Sequence, residues 1–175
     1  MIQSGFRTLV CIIFSCAVFT ANAAVRYSYT SLNYDRTWLD RDWGGQFDTS
    51  MRISGYFMVD QPLSPGLAGA IIVPDEFSFS SGVGVINDTD NLAQADFRIS
   101  TDTNGIITVG AVQLLERFPE ERAIGDIRYR ISVMSLYDHT EIEAVVGGDS
   151  EIQWLISPIA GASAPFSRFG EWSAV

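Results

Sequence analysis

Ala95-Asp96-Phe97-Arg98-Ile99-Ser100-Thr101-Asp102-Thr103-Asn104-Gly105-Ile106-Ile107-Thr108-Val109 is the stretch that decides the fold. In its first half apolar Ala95, Phe97 and Ile99 alternate with polar Asp96, Arg98 and Ser100. A period of two puts each set on its own face of a strand. Its second half is the β-branched run Ile106-Ile107-Thr108-Val109, which favours extended backbone. Between them stands Asn104-Gly105, two residues that tolerate positive φ and turn a chain tightly. The stretch predicts a β-hairpin.

The same alternation recurs on both sides. Val25, Tyr27 and Tyr29 alternate with Arg26, Ser28 and Thr30. Met51, Ile53, Phe57 and Val59 fall on every second position, before the breaker Gln61-Pro62-Leu63-Ser64-Pro65-Gly66. Phe77 and Phe79, then Ile127, Tyr129, Ile131 and Val133, then Ile142, Ala144 and Val146, and finally Ile152, Trp154 and Ile156 repeat it. A last strand is expected around Glu171-Trp172, after a connector at Ala160-Gly161-Ala162-Ser163-Ala164-Pro165. These segments predict an all-β fold, a single antiparallel β-sandwich or jelly-roll-like domain of about 8–10 strands. The one helical candidate, Glu116-Arg117-Phe118-Pro119-Glu120-Glu121-Arg122, carries Pro119 and suits a loop or a single turn better.

The N-terminus carries a different signal. Arg7 precedes the apolar run Leu9 to Phe19, and Ala21-Asn22-Ala23 follows. The run is shorter than the ~20 residues of a membrane span and fits the apolar region of a secretory signal peptide. Cleavage is expected after Ala23, with Ala24 as the alternative. Residues 1–23 are then the signal peptide and residues 24–175 the secreted domain. Lipidation at Cys16 would place bulky Phe14 two residues before the modified cysteine, against that site's preference. No second apolar segment reaches spanning length, so no transmembrane anchor is expected in the mature chain. The expected location is the cell surface or the extracellular space, with the periplasm as the other compartment.

Cysteine and charge narrow the chemistry. Both cysteines, Cys11 and Cys16, lie in the signal segment, so the domain has no disulfide, thiol nucleophile or thiolate metal site. The chain has no lysine, and its formal net charge is −10. Such a surface repels phosphate backbones, which excludes nucleic acid as a partner.

Candidate sites are few. His139, the only histidine, lies in Tyr137-Asp138-His139-Thr140, which resembles a solvated hairpin tip. No Gly-x-Ser-x-Gly elbow accompanies it, and no second histidine or cysteine can complete a zinc site. Glu141 and Glu143 share one strand face and suit a solvated edge. Asn87-Asp88-Thr89-Asp90-Asn91 gathers oxygen side chains, so Asp88 and Asp90 are candidate calcium ligands, although both types also build ordinary turns. No cofactor is expected, calcium being the one for which the sequence offers ligands. Trp38 and Trp43 lie in Thr37-Trp38-Leu39-Asp40-Arg41-Asp42-Trp43-Gly44-Gly45, a charged, glycine-bearing loop. They either stack on a sugar ring or fold down as a lid on the sandwich.

Several segments resemble a group of secreted bacterial proteins: Tyr27-Ser28-Tyr29-Thr30, Ile53-Ser54-Gly55-Tyr56-Phe57 with Gln61-Pro62-Leu63, Phe77-Ser78-Phe79-Ser80-Ser81-Gly82, Phe97-Arg98-Ile99-Ser100-Thr101-Asp102 with Asn104-Gly105-Ile106, and Gly170-Glu171-Trp172. In content and order they are similar to the uncharacterised ectodomains of PEP-CTERM sorting-domain proteins. The Pro-Glu-Pro, apolar span and basic tip of that group do not appear before Val175. The resemblance therefore implies a free secreted version, or one retained by other means, in the envelope or extracellular matrix. It implies no catalytic residues. The expected function is non-catalytic binding of extracellular polysaccharide or a surface protein. The alternatives are a self-assembling matrix or envelope component and, third, a carbohydrate-active enzyme.

Overall fold

The computed structural model describes residues 24–39, 47–117, 127–134, 138–148, 154–164 and 170–175. The expected signal peptide, Trp43 and most of the Glu116–Arg122 segment lie outside them. Among the described residues there are twelve strands and no helix. They are β1 (Val25–Thr30), β2 (Arg36–Leu39), β3 (Ser54–Val59), β4 (Ala70–Ile72), β5 (Glu76–Ser80), β6 (Val85–Asn87), β7 (Ala93–Thr101), β8 (Ile107–Glu116), β9 (Ile127–Val133), β10 (His139–Gly148), β11 (Trp154–Ser163) and β12 (Glu171–Ala174).

They form two antiparallel sheets packed as a sandwich. The five-stranded sheet has the order β12-β1-β3-β5-β6, and the seven-stranded sheet β2-β11-β10-β9-β8-β7-β4. Strands β7 to β11 are a meander in which each pairs with the next. The strands beyond the expected count are β2, β4 and β6, each three or four residues long. Segments that short cannot display an alternation.

The core is what the period-two pattern predicts. Tyr27, Tyr29, Phe57, Phe77 and Phe79 face inward from one sheet, and Phe97, Ile99, Val112, Leu114, Ile131 and Val133 from the other. Phe97 joins the layers. Its ring centroid lies 5.4 Å from Phe57, 5.5 Å from Phe77 and 6.2 Å from Phe79. Trp172 closes one side against Tyr29 at 4.8 Å and Phe57 at 5.7 Å. Gly110 leaves room for it, since a Cβ there would stand 2.8 Å from the indole.

The hairpin between β7 and β8 forms where expected, but Asp102 organises it. Asp102 Oδ1 accepts from the backbone N–H of Asn104 at 2.8 Å and of Ile106 at 2.9 Å. These bonds hold its carboxyl below the usual carboxylate range, the Ile106 contribution being the larger. Gly105 takes φ +82°, and its N–H donates to Asp102 O at 3.2 Å. That is a three-residue turn with a left-handed glycine.

Three local expectations are corrected. The segment Ala160–Ser163 is the end of β11, not a connector: Ala160, Gly161, Ala162 and Ser163 pair with β10 on one side and β2 on the other. A register shift between Ile142 and Glu143 accommodates Pro158, which cannot donate to a regular ladder. Trp38 belongs to strand β2, not to a loop. His139 opens β10 in the interior of the seven-stranded sheet, paired with Ser132 and Ser163, rather than standing at a hairpin tip.

Candidate functional site

The seven-stranded sheet carries its side chains on two faces. The inward face is the core. Register fixes the composition of the outward one, because directly opposed residues in an antiparallel ladder share a face. Asp96 opposes Gln113, Gln113 opposes Ser132, and Ser132 opposes His139. Two residues along, Gln94 opposes Leu115, Leu115 opposes Arg130, and Arg130 opposes Glu141. These two rows cross four strands and line an open groove of about 710 Å³, together with Ala95, Leu114 and Met134.

Glu141 is the electrostatic centre of the groove. Its Oε1 lies 3.0 Å from His139 Nε2, and its Oε2 lies 3.6 Å from Arg130 Nη1. The Glu141 side chain is only 15% exposed and that of His139 20%. Glu141 is therefore a half-sheltered residue of a central strand, not the solvated edge that its spacing suggested. At the far end Asp96 accepts from Arg98 Nε at 3.1 Å. The Gln94 amide is assigned with its oxygen toward Arg117, which donates to it from Nη2 at 2.6 Å and from Nε at 3.1 Å. Asp96 and Glu141 are thus each paired locally, and the lining sets their carboxylates and the Arg130 guanidinium beside the amides of Gln94 and Gln113.

The rows continue in the backbone beyond β10. Glu141 opposes Gly161, which opposes Trp38. His139 opposes Ser163, which opposes Arg36. Trp38 thus stands in the same cross-strand row as Glu141 and Arg130, on edge strand β2. Trp43 lies outside the described residues.

Asp88 and Asp90 are elsewhere, in the turn after β6 on the other sheet. Asp88 Oδ1 accepts from Phe77 N–H at 3.4 Å, and Asp88 N–H donates to Phe77 O at 3.1 Å. Asp90 Oδ1 caps the turn by accepting from Leu92 N–H at 2.9 Å. Asn87 Oδ1 accepts from Thr89 N–H at 2.9 Å. Sequence spacing did not show that Asp90 also meets Glu116, at the end of β8. Burial pushes the Glu116 carboxyl up, Tyr129 N–H opposes this at 3.0 Å, and the Asp90 carboxylate adds to it. Among the described residues no three histidine, cysteine, aspartate or glutamate side chains converge as metal ligands.

A second buried polar feature joins the sheets. The Tyr29 hydroxyl donates to Asp138 Oδ2 and accepts from Gly170 N–H at 3.2 Å. Burial pushes Asp138 up to about 6, and the Tyr29 hydroxyl and the Met134 backbone N–H pull it only partly back. Burial also raises Tyr29 and Tyr34, and the Asp138 charge raises both further.

No helix among the described residues is long and apolar enough to cross a membrane. Compared with known proteins, the chain matches no family model, no curated protein and no solved structure.

Proposed function

We propose that this protein is an exported, non-catalytic binding protein of the cell surface or extracellular matrix, and that it holds extracellular polysaccharide in the groove on the outer face of the seven-stranded sheet. The groove carries the reading: about 710 Å³, within the usual range for ligand sites, but lined by amides, carboxylates, arginine and the sole histidine rather than by a mainly apolar wall. Planar groups of that kind bridge neighbouring hydroxyls on a sugar ring. Leu115 and Met134 supply apolar surface for its C–H faces. The resemblance to secreted ectodomains and the signal-like N-terminus support the location.

Binding is favoured over hydrolysis by spacing. Asp96 and Glu141 stand on β7 and β10, three strand separations apart, or about 14 Å. Glycosidase carboxyl pairs lie roughly 5–9.5 Å apart. Glu141 is moreover committed to His139 and Arg130.

The test is retention of the purified secreted protein on the producing cell's own extracellular polysaccharide. The parent chain is retained, and Gln113→Ala, which alters only an exposed groove side chain, elutes early. Equal elution of both from polysaccharide and from an inert matrix would overturn the reading. A second reading, self-assembly, draws on edge strand β4, where Ile71 is 65% exposed, and on Val73 just after it, 85% exposed. Growth in light scattering with protein concentration alone, abolished by Ile71→Lys, would favour it.

A further inference from the structure

We infer that the groove takes an internal stretch of a long, neutral, hydroxyl-rich polymer lying across the strands, with about one monomer over each strand; this rests on the polysaccharide reading above. Three observations support the inference. The first is shape. The two lining rows are two residues apart along the strands, a width of roughly 7 Å, and from β7 to β10 they run about 14 Å. The strand separation of ~4.8 Å is close to the length of one pyranose unit in an extended chain.

The second is that the rows run on in the backbone past the groove. Strand β4 pairs only with Phe97–Ile99 of β7, so no described strand flanks Gln94 and Asp96. On the other side the Glu141 row passes over Gly161, which has no side chain to block it, and reaches edge strand β2 at Trp38. A pocket that recognises a chain end needs a wall; no described strand pairs beside Gln94 and Asp96, and Gly161 sets no side chain next to Glu141.

The third is charge. The groove's carboxylates Asp96 and Glu141 sit beside Arg98 and Arg130, and the chain as a whole carries −10. The overall field of the chain repels an acidic polymer.

The test uses the whole extracellular polysaccharide of the producing cell and its partial hydrolysate, separated by size and into neutral and acidic fractions. Binding is measured by calorimetry and by shifts of the Gln113 side-chain amide resonances. The expected result is retention on the polymer, with neutral oligomers gaining at least tenfold in affinity between two and five units and then levelling off. A monosaccharide or disaccharide that binds as tightly as the longer oligomers overturns this inference and leaves the polysaccharide reading intact. Binding confined to the acidic fraction does the same. Failure to bind the whole polymer overturns the polysaccharide reading and this inference with it.

Discussion

The hydroxyl of Tyr29, on the five-stranded sheet, donates a 2.5 Å hydrogen bond to Asp138 Oδ2 at the entry to β10 of the seven-stranded sheet. Asp138 is 3% exposed, so its neutral form is favoured in the folded chain. Between its ordinary 3.8 and about 6 the folded state holds a proton that the unfolded state has released. The contribution of this group to stability therefore falls as pH rises through that window and is flat above it. Asp138→Asn removes the charge and keeps the shape. Its stability relative to the parent should rise by ~2 kcal/mol between pH 4.5 and pH 7. Urea unfolding at the two pH values checks this, and a constant difference would refute it.

Phe97 bridges three phenylalanines of the opposite sheet. Phe97→Ala should cost about 3–5 kcal/mol, the range for deleting a fully buried aromatic side chain. Phe97→Leu should cost distinctly less. Denaturant midpoints of the two variants give the comparison.

At the tip of the β7–β8 hairpin, Gly105 has φ +82°, and a Cβ there would stand 2.9 Å from the Leu63 carbonyl oxygen. Gly105→Ala should cost at least ~1–2 kcal/mol from the left-handed backbone alone. For a domain of this size that lowers the melting temperature by roughly 2–8 °C. Asn104→Ala, one residue away, keeps the glycine and should change it much less.

Glu141 holds both His139 and Arg130 on the sheet surface. Glu141→Gln should change stability by less than ~1 kcal/mol, as expected of a partly exposed ion pair. Retention on polysaccharide should fall at least fivefold, because the His139 and Arg130 side chains lose their anchor. A variant that unfolds readily instead would show Glu141 to be structural.

The legible part of this molecule was its core. Tyr27, Phe57, Phe79, Phe97 and Ile131 were placed correctly because a half-buried strand writes its burial into alternate positions. The groove was not legible, because it is made by register. Gln113 and His139 have nothing in common along the chain and become neighbours only through Ser132. The same holds for Trp38. Its segment looked like a loop because a four-residue edge strand is too short to show a period. Asp90 and Asp88 read as turn formers or ligands; Asp90 caps its turn through Leu92, while Asp88 reaches across to Phe77 on β5.

The two sheets differ in how much of the chain each requires. The meander β7–β11 uses neighbours in sequence, so those strands can pair as they emerge. The five-stranded sheet draws β1 from one end of the described chain and β12 from the other. Tyr27 pairs with Ala174, and the Gly170 N–H reaches a tyrosine 141 positions earlier. The β1–β12 pairing therefore spans the longest sequence separation among the described strand pairs. The groove is thus built from strands that are neighbours in sequence, whereas the sandwich is sealed by joining the two ends of the described chain, where Trp172 lies beside β1.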